Sequence, residues 1–146
     1  MDVKTETRQI KPFHLDMSEA DIDAFNAACR EILTTGSLIL GPYTDRFEKA
    51  FADYVGTRHA IATNTGTSAL EILMRIKKVA GRTVLVPTNT NFATVAAALY
   101  AGASVRYLDM DPDTFAPSLD MGRATVEAMD APPAGIIWVH IGGVIT

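Results

Sequence analysis

The chain has 146 residues, enough for one domain with a buried core. Its 48% hydrophobic and 21% charged content marks a globular chain, and its net charge of -4 argues against nucleic-acid binding, which calls for a basic stripe. Cys29 is the only cysteine, which excludes an internal disulfide or a thiolate metal cluster. The opening MDVKTETRQIKP lacks the apolar core of a secretory signal, and no window approaches the roughly 18 apolar residues of a membrane span. A soluble, cytoplasmic protein with no membrane segment is expected.

Residues 1–17 read as a polar N-terminal arm. Ser18, with Asp21 three positions on, forms a variant capping box. Ile22, Phe25, Cys29, Ile32 and Leu33 follow at helical spacing, predicting an amphipathic helix over 19–34 that ends at Gly36. Gly41-Pro42 is a turn. Phe47, Ala50, Phe51, Tyr54 and Val55 mark a second helix closed by Gly56. Residues 18–57 therefore form an N-terminal helical segment.

The pattern then changes. Residues 60–63, 83–86, 105–108 and 136–139 are short apolar runs rich in strand formers, and helical stretches lie between them at about 67–80, 91–101 and 118–129. This alternation predicts an α/β fold, with N-terminal helices followed by βα units on a mainly parallel sheet over 58–146. The strands are apolar on nearly every residue, as when helices cover both faces. The segment NFATVAAALYAGA predicts a buried helix packed tightly on the sheet. The chain ends GIIWVHIGGVIT, a strand and loop with no covering helix after it, so the α/β domain is expected to be incomplete and the chain an N-terminal portion of something larger.

Ligands of a parallel sheet sit beyond the C-terminal strand ends. The loops to inspect are therefore 64–68, 87–91, 109–117 and 140–146. In Asn64-Thr65-Gly66-Thr67-Ser68, a helix N-terminus offers unpaired N–H groups and partial positive charge, Gly66 permits close approach, and Thr67 and Ser68 add hydroxyl donors. The same residues also suit an ordinary helix cap. Neither a P-loop nor a dinucleotide fingerprint is present. Thr88, Asn89, Thr90 and Asn91 read from spacing alone as a polar turn and helix cap. Asp109, Asp111 and Asp113 alternate in an acidic turn. Thr114 and Asp120 break the EF-hand pattern there, and the run offers too few ligands for a metal site. His140 closes the last strand with no partner pattern. Lys4, Lys11, Lys49, Lys77 and Lys78 all fall in the polar arm or on solvent-facing helix sides, none buried as an amine nucleophile requires.

Taken in order, the motifs resemble those of the DegT/StrS-type sugar aminotransferases, pyridoxal-phosphate enzymes of the aspartate aminotransferase fold. TTGSLILGPYTDRFEKAFADYVGTRHAIATNTGTSAL carries the small turn, G-P, F-E and then G-T-x-A-L. VLVPTNTNFATVAAALYAGASVRYLDMDPDTF carries a proline-ended strand, T-x-x-A-T, G-A and the D-x-D turn, and IIWVHIGG a strand ending V-H. The resemblance runs from about residue 17 to the end and implies part of the large domain of a PLP-transferase fold. It implies that Gly66, Thr67 and Ser68 bind the cofactor phosphate, and that Asn91 falls where the family usually stacks an aromatic residue on the pyridine ring. It implies a transferase of nucleotide-sugar biosynthesis, moving an amino group from an amino acid, glutamate by expectation, to a nucleotide-linked keto sugar. Family members are longer and work as homodimers, with the Schiff-base lysine further along than Thr146. No catalytic residue is therefore assigned, and the chain alone is expected to be inactive. The alternatives are a non-catalytic, truncated or split α/β module that binds phosphate compounds or a partner chain, and a nucleotide-binding or metal-using sugar enzyme with an α/β sheet.

Overall fold

The structure, a computed structural model, describes residues 13–143. Most of the expected polar arm, with Lys4 and Lys11, and the last three residues of the 140–146 loop lie outside them. The chain divides into two units, Met1–Ala62 and Thr63–Thr146.

Among its described residues the first unit holds two helices, α1 (Glu19–Thr35) and α2 (Pro42–Val55). The capping box at the start of α1 forms as expected: Ser18 Oγ accepts from Asp21 N–H at 3.2 Å, and the Asp21 carboxylate accepts from Ser18 N–H at 3.1 Å. The Ser18 hydroxyl and then its N–H hold the Asp21 carboxyl below its ordinary value. Gly36 ends α1 in the left-handed region at φ 72°, where a side chain would be strained. Pro42 starts α2 at its first helical position, where its missing N–H costs no hydrogen bond. Tyr43 Oη donates to Glu31 at 2.8 Å, tying α2 to α1.

The expected strand over 60–63 is not formed. A strand is held by its neighbours' backbone groups, and among the described residues none pairs with this run. Ala62 N–H donates instead to the Glu48 carboxylate at 2.7 Å.

The second unit is α/β, in the order α3 (Gly66–Ile76), β1 (Thr83–Pro87), α4 (Phe92–Tyr100), β2 (Ser104–Leu108), α5 (Leu119–Glu127) and β3 (Gly135–Ile136). A short 3-10 turn, Ile141–Gly143, follows. The sheet has the order β2-β1-β3 and both pairings are parallel. Central β1 is buried along both faces, with Val84 through Pro87 all buried. Val84 and Val86 pack with Met74, Val79, Ala97, Ala98, Ala101 and Ala103 in one apolar cluster. The small alanines let α4 approach the sheet closely.

Three expectations are corrected in detail. Helix α3 stops at Ile76 rather than near 80, because Lys78 turns left-handed at φ 54° and sends Val79, 3% exposed, into the core. Helix α4 buries only one face: Thr94, Ala97 and Ala98 are buried, whereas Phe92, Leu99 and Tyr100 are exposed. β3 pairs with β1 over two residues instead of four, and β2 is an edge strand that exposes Arg106 and Tyr107. Among the described residues, no helix is long and apolar enough to cross a membrane.

Candidate functional site

The cap of α3 is Thr65, not the hydroxyls at 67 and 68. Its extended backbone, φ -151° and ψ 155°, leads into the helix, and its Oγ1 accepts from Ser68 N–H at 3.1 Å while its carbonyl accepts from Ala69 N–H at 3.2 Å. The hydroxyls of Thr65 and Ser68 lie 3.0 Å apart. This leaves Gly66 and Thr67 as the first two helical residues. Neither their N–H groups nor the Thr67 hydroxyl has a hydrogen-bond partner among the described residues. Two aligned amides, the helix dipole and an adjacent hydroxyl could together receive an anion. A Cβ built on Gly66 would meet nothing within 4 Å, so the approach is open.

Asn91 is the N-cap of α4. Its Oδ1 accepts from Ala93 N–H at 2.9 Å and its carbonyl accepts from Thr94 N–H at 3.0 Å. Beside it, Thr90 Oγ1 donates to Thr94 Oγ1 at 2.9 Å. One end of the carboxamide is thus committed to the helix, and Nδ2 of this exposed residue has no acceptor among the described residues. Phe92 next to it is 81% exposed.

Helices α3 and α4 pack together. Arg75, near the end of α3, reaches the carbonyl of Tyr100, the last residue of α4, at 2.6 Å. The two helices therefore run side by side in the same direction. Their N-termini, with Gly66–Ser68 on one and Asn91 on the other, share the edge where β1 ends at Pro87.

The loop after β2 meets the same edge. Thr88 N–H donates to the Leu108 carbonyl at 2.9 Å, and Asn89 Nδ2 donates to the Phe115 carbonyl at 3.2 Å. Asp111 organises this loop as an Asx turn, its Oδ1 accepting from Thr114 N–H at 2.9 Å and Asp113 N–H at 3.0 Å. Those two N–H groups, that of Thr114 first, hold the Asp111 carboxyl below its ordinary 3.8. Asp109 Oδ1 accepts from Met110 N–H at 2.8 Å. Both carboxylates serve their own turn, and no group of three or more His, Cys, Asp or Glu side chains among the described residues could hold a metal ion.

A lowered folded-state value means that ionised Asp111 stabilises the loop above the unfolded carboxylate range, and that this stabilisation is lost as pH falls through the lowered value. Asp111→Ala is accordingly expected to lower the thermal midpoint at neutral pH. The gap to the parent should narrow between about pH 6 and about pH 3. A gap independent of pH would contradict the Asx-turn account.

His140 is exposed, and its carbonyl accepts from Gly143 N–H at 3.0 Å at the start of the 3-10 turn. Lys49, Lys77 and Lys78 are exposed, as expected. Sequence reasoning read 64–68 as suited to a helix cap but did not single out Thr65 within it. Its signal was available, since a threonine three places before Ser68 matches the spacing at which an N-cap hydroxyl meets a helical N–H.

A family model described as the DegT/DnrJ/EryC1/StrS aminotransferase family matches residues 19–146. The chain is 39% identical over 114 residues to GDP-perosamine synthase of Caulobacter vibrioides, a match covering 77% of this chain and 30% of that protein. Its structure is similar to that of a DegT DnrJ EryC1 StrS aminotransferase from Brucella abortus, with TM-score 0.76 and 32% identity over 87% of this chain and 36% of that one. It is also similar to NtdA from Bacillus subtilis, solved with bound cofactor PMP, with TM-score 0.73 and 32% identity over 87% of this chain and 29% of that one. The chain thus spans less than a third of the length of the curated relatives it matches first.

Proposed function

The chain belongs to the DegT/DnrJ/EryC1/StrS aminotransferase family, and on that premise we propose that it is the N-terminal portion of a PLP-dependent sugar aminotransferase. The whole protein would transfer an amino group from an amino acid, glutamate by preference, to a nucleotide-linked keto sugar. The observation that carries this reading is the start of α3, where two N–H groups and the Thr67 hydroxyl lack partners among the described residues and no Cβ stands at Gly66.

The residues present fit the phosphate of pyridoxal phosphate. Gly66 and Thr67 would donate their amides to it and Thr67 its hydroxyl. Ser68 has its N–H engaged by Thr65, so it would contribute only its hydroxyl. Asn91 would lie at the neighbouring helix start and offer Nδ2 at the rim. The Asp111 turn and the Asn89 bond to Phe115 would hold the opposite wall. Pyridoxal phosphate, when bound, supplies the electron sink that amino-group exchange needs. The described residues contribute binding and orientation to that chemistry. The described lysines, Lys49, Lys77 and Lys78, are all exposed, so on this reading the lysine that holds the cofactor would come from elsewhere in the whole protein and the chain alone would be inactive. A homodimer working in the cytoplasm completes the proposal.

Borohydride trapping tests it. The whole protein, incubated with pyridoxal phosphate and reduced, is expected to carry one covalent adduct on a lysine other than Lys4, Lys11, Lys49, Lys77 or Lys78, and to turn over a nucleotide-linked keto sugar with glutamate. No adduct, or a stoichiometric adduct on a lysine of this chain, would contradict the proposal.

A further inference from the structure

The arrangement of α3 and α4 places one guanidinium where two helices end. Tyr100 is the last residue of α4, and its carbonyl is among those that a helix leaves without an internal partner. The surrounding turn satisfies its neighbours: Ala101 N–H donates to Ala97, Gly102 N–H to Leu99 and Ala103 N–H to Ala98. The last turn of α4 contains no basic residue of its own. Arg75, in the last turn of α3, supplies the missing cation, donating from a terminal guanidinium nitrogen to the Tyr100 carbonyl at 2.6 Å across 25 residues of sequence. Glu71, one turn back on α3, fixes the guanidinium by accepting from Arg75 Nε at 2.8 Å and lying 2.8 Å from the same terminal nitrogen.

The Glu71 pair alone would be an ordinary surface bridge of small effect, since the Arg75 side chain is 59% exposed. The Tyr100 bond is of another kind. It is charge-assisted, complements the negative ends of two helix dipoles and joins two elements. The candidate residues lie at the opposite ends of the same helices, Gly66 about 14 Å up the axis of α3 from Arg75 at 1.5 Å per residue. With Met74 and Leu70 packed beneath against the alanines of α4, α3 has one apolar contact line and one polar tie. Without the tie it can slide or roll on those small side chains.

The geometry points to Arg75 as a positioning residue that, through Glu71 and the Tyr100 carbonyl, sets the register of α3 on α4 and so the placement of the Gly66–Ser68 amides. This rests on the phosphate reading of that helix start for its effect on cofactor, and on the structure alone for its effect on the helix.

The test uses the whole protein with Arg75→Met and Arg75→Lys. Arg75→Met is expected to raise the dissociation constant for pyridoxal phosphate about three- to tenfold. It should also speed amide hydrogen exchange at Ser68 and Ala69, the two amides that Thr65 protects, in the cofactor-free protein. Arg75→Lys keeps a cation at the Tyr100 carbonyl without the fork to Glu71. It is expected to fall between Met and the parent in both readouts, and it serves alone if the Met variant does not fold. Unchanged affinity, or unchanged exchange, in the variants overturns the inference, because a merely structural tie would lower the thermal midpoint without moving either. If the parent binds no pyridoxal phosphate, the proposed function fails and exchange at Ser68 and Ala69 decides this inference by itself.

Discussion

Gly66→Pro in the whole protein is expected to weaken pyridoxal-phosphate binding about tenfold to a hundredfold while leaving the cofactor-free protein as stable as the parent. The reasoning is local. Gly66 is the first helical residue of α3, and its N–H has no partner among the described residues. Proline is favoured at that position because the N–H it removes is one the helix cannot use. Proline also demands an extended residue before it, and Thr65 already has φ -151° and ψ 155°. The substitution therefore removes one donor from the proposed phosphate site and nothing from the helix, and the stiffer unfolded chain offsets any small loss. A hydrogen bond to a charged group contributes about 1.5–3 kcal/mol, which gives the stated range at about 1.4 kcal/mol per tenfold. Fluorescence titration with the cofactor measures it. The double replacement Thr67→Ala with Ser68→Ala leaves all the backbone amides in place, so it is expected to cost less than the proline. A proline variant that binds within about twofold of the parent would return this helix start to an ordinary cap.

Leu85→Ala is expected to destabilise the α/β unit by about 2–5 kcal/mol, as for other fully buried leucines. Leu85 is 0% exposed in the central strand, opposite Arg106 of β2 and Ile136 of β3. Its carbonyl also accepts from Ile137 N–H at 2.9 Å, so the backbone there is held on both sides and cannot collapse into the vacated space. The urea dependence of unfolding measures the loss. β1 ends at Pro87 and feeds the loop that carries Asn89 and Asn91, so weaker cofactor retention should accompany the lower stability. A change below about 1 kcal/mol would mean that the leucine is not packed as the structure has it.

The parts of the fold that sequence reading reached are those fixed by short-range physics. Ser18 with Asp21, Gly36, Pro42 and Gly56 each satisfy a terminal backbone group or a left-handed turn within a few residues, so their roles are written locally. Val84–Val86 are apolar in succession because β1 has neighbours on every side. The misses share the opposite cause. Whether residues 60–63 form a strand depends on a partner elsewhere, and the run itself holds no sign of one. The burial of α4 depends on what covers each face, and alanine and leucine do not say which face that is. Lys78 adopts the left-handed turn that normally announces itself with glycine.

The candidate site divides in the same way. The motif order led to Gly66, Thr67, Ser68 and Asn91, and the topology sets them at one edge of the sheet. What each atom does there needed geometry. Thr65 takes the capping role, Ser68 loses its N–H to that cap, and Asn91 commits its oxygen to Ala93. Arg75 gave no sequence signal beyond a Glu-Arg pair at helical spacing, because its partner at Tyr100 is a backbone carbonyl, which every residue has.

The most direct measurement is a crystal structure of the whole protein with pyridoxal phosphate. The account predicts the phosphate at the start of α3, with the Gly66 and Thr67 amides at about 2.7–3.1 Å from its oxygens and the Thr67 hydroxyl beside them. A cofactor bound with its phosphate elsewhere, and those two amides facing water, would contradict it.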